Sequence, residues 1–168
     1  MVISFPLDTD PGWFRNGDWA HGQPTGGGGE YGFPDPTSGH TGSNVFGYNL
    51  QGDYEGDIPE YVLETDPIDC STFSGTTLRF WRWLNVESPS YDHARLELDA
   101  GDGWTTIWEN SSAITELEWV QVEYDISQHA DGVENLRIRW VMGTTDDTWN
   151  FSGWNLDDIE IIIIEIQW

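Results

Sequence analysis

The sequence predicts an all-β protein, and three observations carry that prediction. Apolar and polar residues alternate in several separate segments, no window keeps apolar residues at i, i+3, i+4 and i+7, and 19 Gly and 8 Pro punctuate the chain. With 168 residues and 38% hydrophobic content, the chain is long enough for one domain with a proper core and too short for two full-sized ones. Residues 1–168 therefore read as a single domain, with no internal repeat.

The first third differs in kind from the rest. Between Asn16 and Asp57, Gly26-Gly27-Gly28-Gly29, Pro34-Asp35-Pro36 and Gly39-His40-Thr41-Gly42 separate short apolar pieces such as residues 45–50, so regular structure should be sparse. The same stretch carries Trp19, Tyr31, Phe33, Phe46, Tyr48 and Tyr54, which a disordered linker would not, and this predicts long ordered loops wrapped on the sheets. Residues 68–73 hold the one cysteine, Cys70, expected as a small buried hydrophobe. Over residues 77–84, Leu78, Phe80 and Leu84 point one way, with Arg82 an exception among them, while Arg79, Trp81 and Trp83 point the other. Alternation returns in residues 94–98, 120–124 and 136–140, and Asp99-Ala100-Gly101-Asp102-Gly103 reads as a tight hairpin connection. The end of the chain, residues 159–168, is the strongest strand signal. Its four consecutive Ile imply burial on both faces, so this strand is either central in a sheet or covered by a partner.

Charge narrows the function classes. There are 30 Asp plus Glu against 6 Arg and no Lys, a formal net charge of −24. Phosphate binding needs clustered positive charge, so a nucleic-acid partner is not expected. No apolar run reaches the roughly 18 residues that span a bilayer, so no membrane insertion is expected either. Local acidic clusters, Asp8/Asp10, Asp53/Glu55/Asp57, Asp146/Asp147 and Asp157/Asp158, have two readings: a solvated face suited to high salt, or oxygen ligands gathered for a cation. A single cysteine excludes an intrachain disulfide, and His21, His40, His93 and His129 show no zinc spacing. No G-x-S-x-G is present, and abundant carboxylates make any acid pair uninformative, so no catalytic set emerges and an enzyme is not expected. Asn110-Ser111-Ser112 and Asn150-Phe151-Ser152 match the N-glycosylation pattern. The N-terminal Met-Val-Ile-Ser-Phe-Pro has neither a basic nor a long apolar leader segment, so a secreted origin would make this an excised module or a mature chain with an added Met.

Several stretches together resemble a known pattern: Phe5 followed by Asp8, Gly12 and Trp13; Trp19-Ala20-His21-Gly22-Gln23-Pro24; residues 43–50 and Gly52-Asp53-Tyr54; later Leu78-Arg79-Phe80-Trp81-Arg82-Trp83, Tyr91-Asp92, Gly103-Trp104, Trp119 and the closing Ser152-Gly153-Trp154-Asn155-Leu156-Asp157-Asp158-Ile159. This is similar to the MAM-like jelly-roll accessory modules of secreted bacterial proteins. The resemblance covers nearly the whole chain and is strongest at Leu156-Asp157-Asp158-Ile159; the Gly-rich residues 24–42 and the tail beyond Ile161 depart from the pattern. It implies two antiparallel sheets packed as a β-sandwich, the jelly roll, to which the composition of this chain adds long Gly/Pro-rich loops. It further implies a structural calcium between the N-terminal loop and the last strand, held at positions that here are Asp8, Asp10 and Asp157, with Asp53 a further candidate. It places the chain outside the cell.

Two features suggest a ligand. Trp81 and Trp83 lie about 7 Å apart on one strand face, a spacing at which flat rings stack on sugars. If the strands are sheet neighbours, Arg79, Arg95, Arg137 and Arg139 share that face, either to hydrogen-bond a glycan or to pair with acids across strands. The second feature is a loop cluster, residues 146–151 with Trp149, joined by Trp154. The expectation is a calcium-stabilised, non-catalytic carbohydrate-binding module. The competing reading is a structural or adhesive subunit whose Ile-rich terminal strand completes a neighbour's sheet in an extracellular fibre or matrix; besides a glycan, the partners then to be considered are copies of itself or a larger parent polypeptide.

Overall fold

The computed structural model of the chain describes residues 1–166. Alternating segments become strands because one face of each can be buried while the other stays polar. The strands are β1 (Val2–Phe5), β2 (Phe14–Arg15), β3 (Trp19–Gly22), β4 (Val45–Tyr48), β5 (Tyr61–Glu64), β6 (Phe73–Ser74), β7 (Thr77–Val86), β8 (Ala94–Asp99), β9 (Trp104–Glu109), β10 (Ile114–Thr115), β11 (Val120–Asp125), β12 (Arg137–Met142), β13 (Gly153–Ile162) and β14 (Glu165–Ile166), with a single helical turn at Ser127–Ala130. Residues 23–44 contain no strand, as their Gly and Pro content predicts.

Two antiparallel sheets form a sandwich. In the first, β7 and β13 lie side by side; β10 and β11 share the outer edge of β7, and β4, continued by β3, shares the far edge of β13 with β1. The second runs β2-β5-β12-β8-β9, and β6 pairs with β14 apart from both. Rings interlock across the interior: Phe80 of β7 meets Trp140 of β12 edge-on at 5.5 Å, Trp154 of β13 meets Trp108 of β9 at 5.6 Å, and Trp13 stacks between Phe46 and Trp140. Cys70 belongs to this core, fully buried and unpaired. The hairpin at Asp99 is closed by its own side chain, whose Oδ1 accepts the N–H groups of Gly101 at 2.7 Å and Gly103 at 3.2 Å.

The terminal Ile run resolves in favour of the central strand. β13 pairs with β7 on one side and with β4 and β1 on the other, so neither edge is open to a second chain. Burial on both faces does not hold throughout: Ile161 and Ile163 are buried, whereas Ile164 lies beyond the strand at 78% exposure. Trp168 lies outside the described residues. The glycosylation pattern at Asn110 is also not usable, because its buried amide accepts from the N–H of Ala94 and donates to the carbonyls of Glu87 and Asp92.

Candidate functional site

Sheet topology separates the arginines that alternation alone would group. Arg79 lies on the first sheet, while Arg95, Arg137 and Arg139 lie on the second, so the four do not share a face. Alternation fixes the face of a strand but not the sheet to which it belongs. Each guanidinium is met by acids: Arg79 by Glu123 and Glu160, Arg137 by Glu64 and Asp99 and Arg139 by Glu97 at 2.8 Å, all across strands, and Arg95 by Glu97 of its own strand and by Glu60 just before β5. Trp104 lies beneath Arg139, whose guanidinium carbon is 4.1 Å from the ring centre.

The Trp81/Trp83 face is no open platform, because the Gly-rich loop crosses it. His40 stacks on Trp81 with ring centres 3.8 Å apart, and the Trp83 indole N–H donates to the Pro34 carbonyl at 3.0 Å. Polar side chains on the same face tie the loop down. Asn85 accepts the Phe33 N–H, the Asn155 amide donates to Asp35 at 2.7 Å, and Asp157 accepts the Thr41 N–H at 3.1 Å. A cavity of about 330 Å³ persists beside Trp81, lined among others by Phe5, His40, Asp158 and Glu160.

Of the four acidic residues suggested for a metal, two face the loop segment 39–44 and two do not. Asp157 is fully buried, and burial raises its carboxyl to about 6. A β-bulge between Asp157 and Glu160 places Asp158 at φ 45°, from where its carboxylate takes the Thr41 hydroxyl and the His40 ring. A Cβ on Gly39 would fall 2.4 Å from the Thr41 carbonyl oxygen, 2.7 Å from Asp157 Oδ2 and 2.9 Å from the Asn44 carbonyl oxygen, so a recess lined by oxygens exists only because residue 39 is glycine. Asp8 abuts the same segment: its Oδ1 lies 2.4 Å from where a Cβ on Gly42 would be, and its carbonyl accepts from Asn44. This all-oxygen lining suits a hard cation. Asp10 instead pairs with Arg15 at 2.6 Å, and Asp53 accepts the Gly29 N–H at 2.9 Å.

The loop cluster lies at the end of the sandwich where three sheet-crossing connections meet. Residues 49–60, 87–93 and 143–152 are laced by backbone bonds, including Tyr54 N–H to the Phe151 carbonyl and Asp57 N–H to the Asp146 carbonyl. Trp149 is the one exposed tryptophan among the described residues, 57% exposed at φ 57°, and Tyr31 from the Gly-rich loop stacks on it at 5.2 Å. Tyr91 is likewise exposed. Between them a pocket of about 240 Å³ is lined by Glu87, Tyr91, Asp146, Thr148 and Trp149. Trp154 does not join this rim; it is buried in the core and its indole donates to the Val141 carbonyl. Under the pocket, Glu87, Asp92 and Asp146 form a largely buried acidic triad that could hold a metal ion. Burial and the neighbouring acids push the Glu87 carboxyl above its ordinary range, and burial does the same to Asp92. Glu87 was not singled out in the sequence, and Asp92 entered only within the Tyr91-Asp92 stretch of the resemblance, not as a metal ligand; the signal available was their position on either side of a Ser-Pro-Ser turn directly after the most regular strand.

No protein-family model and no curated protein matches the sequence. Solved structures do share the fold. The K1 cleaved adhesin domain of Lys-gingipain from Porphyromonas gingivalis W83 aligns over 98% of this chain and 99% of its own, with a TM-score of 0.62 and 16% identity. The family 30 carbohydrate-binding module of a Clostridium thermocellum cellulosomal cellulase aligns over 98% and 99%, with a TM-score of 0.58 and 12% identity. The CBM22-2 xylan-binding domain of Xyn10C from Paenibacillus barcinonensis aligns over 97% and 98%, with a TM-score of 0.51 and 14% identity. The chain thus has the β-sandwich fold of bacterial adhesin and carbohydrate-binding modules.

Proposed function

We propose that this chain is a non-catalytic carbohydrate-binding module that holds its glycan at the loop rim. The observation that carries the reading is the pair of exposed rings, Trp149 and Tyr91, over a pocket lined by carboxylates. Aromatic faces stack on the C–H faces of sugars while carboxylates accept from hydroxyl groups. The rim is favoured over the Arg/Trp face because Trp81 and Trp83 are covered by the loop and the arginines are engaged by acids. The neighbours described as carbohydrate-binding modules support the same class, and the closing Leu156-Asp157-Asp158-Ile159 supports a MAM-like accessory role outside the cell, beside a larger parent polypeptide. In this reading a structural calcium sits in the recess of Asp157, Asp8 and the carbonyls of Thr41 and Asn44. Retention on a panel of neutral and acidic polysaccharides tests the proposal. Trp149→Ala with Tyr91→Ala should weaken retention at least about tenfold, as loss of stacking anchors does, with little change in melting temperature. Undiminished retention by a folded double variant would remove the rim from consideration.

A further inference from the structure

The acidic triad beneath the rim has the makings of a site of its own. Ligand oxygens of Glu87, Asp92 and Asp146 all lie within 4.8 Å of one another. Two oxygens bound to one calcium ion at about 2.4 Å can be at most about 4.8 Å apart, so the cluster already has the span of a coordination sphere. Asp92 has donors of its own, the Tyr54 hydroxyl on one oxygen and the Asp146 N–H at 2.9 Å on the other. Glu87 is 8% exposed and lines the pocket, yet its buried Oε2 has no hydrogen-bond donor. A buried carboxylate oxygen left in that state calls for a cation or a proton.

Positive charge from the chain itself is spent elsewhere. Arg15 pairs with Asp10, Arg79 with Glu123 and Glu160, Arg82 with Glu116, Arg95 with Glu60 and Glu97, Arg137 with Glu64 and Asp99, and Arg139 with Glu97. His93 is the nearest basic ring, and its Nδ1 faces the Thr144 carbonyl at 2.8 Å. The ligand set is all carboxylate, with no thiol and no imidazole directed at it, which selects hard cations over zinc or copper.

We propose that Glu87, Asp92 and Asp146 bind an oxygen-preferring divalent cation at the floor of the rim pocket, fastening loop 87–93 to the loop 143–152 that carries Trp149. This site is separate from the Asp157 recess: Asp157 pairs with Trp81 in the middle of β7, whereas Glu87 follows the last residue of that strand. The reading does not depend on what the rim holds.

Calorimetric titration of the chelator-treated full chain with calcium, without any sugar, tests it, and a failure of glycan retention leaves the result untouched. Glu87→Gln and Asp146→Asn should each lose one calcium equivalent or weaken it at least about tenfold, while Asp157→Asn keeps that equivalent. Terbium supplies a second readout, because Trp149 lines the same pocket and sensitises a bound lanthanide: emission excited through tryptophan should fall in Glu87→Gln, and Trp149→Phe should dim it while calorimetric binding persists. Should Glu87→Gln not fold, Asp146→Asn, whose side chain is only partly buried, decides alone. Wild-type stoichiometry and affinity in folded Asp146→Asn and Glu87→Gln, or no calcium bound by the wild-type chain, would overturn the proposal.

Discussion

Asp35 is 3% exposed, and burial raises its carboxyl to about 8. One oxygen accepts from Asn155, while its Oδ2 and the Asn155 Oδ1 are buried without donors. Since the unfolded value is about 3.9, the folded chain prefers the protonated acid; that stability is full below about pH 4 and is lost as pH rises towards about 8. Asp35→Asn, uncharged at every pH, should therefore melt above the wild type at pH 8 by at least the roughly 2–4 °C that ~1 kcal/mol gives a chain of this size. The gap should close at pH 4, and a gap independent of pH would show that Asp35 is held ionised. Arg82 shows how far single residues can be read from sequence. Alternation places it on the apolar face of β7, and the structure gives the reason it is tolerated there: Glu116 takes its guanidinium at 3.1 Å and also accepts the Leu84 N–H at 2.9 Å. That partner is invisible in the sequence, because it follows β10, after the chain has left for the second sheet through β8 and β9 and returned.

Elements with several alternations were legible, and shorter ones were not. Residues 77–84, 94–98, 120–124 and 136–140 fall within or at the edge of β7, β8, β11 and β12, whereas β1 and β2, of four and two residues, carry too little period to announce themselves. Which strands share a sheet follows from long-range pairing, and this is why the arginine cluster dissolved into two faces. The Gly-rich loop was read as ordered, but its resting place over Trp81 and Trp83 depends on the polar row Asn85, Asn155 and Asp157, which pattern alone shows as strand residues. Gly39 is the tightest point of that contact. Gly39→Ala should cost about 1–3 kcal/mol, the usual penalty of overpacking, by driving a methyl group into three oxygens. If the recess holds calcium, a chelator should lower the melting temperature of the wild type by more than that of Gly39→Ala, which keeps only the separate acidic triad of Glu87, Asp92 and Asp146; equal chelator shifts in both would exclude a cation in the recess.

At the scale of the molecule, composition was the most direct guide. A net charge of −24 spread over 7612 Å² of surface, with all six arginines in ion pairs, leaves acids repelling one another at every exposed face. Raising sodium chloride from about 0.1 to 1 M shortens the screening length from about 10 to 3 Å, so the melting temperature should rise with salt. A fall would mean that the cross-strand ion pairs outweigh the net repulsion. The same interior that excludes solvent also encloses the one thiol: Cys70 has no exposed surface, and burial pushes its thiol up to about 11. A maleimide can reach that sulfur only when the packing around it opens, so the labelling rate counts excursions that lift the connection before β6 away from residues 130–133, a clock for rare opening that needs no added probe.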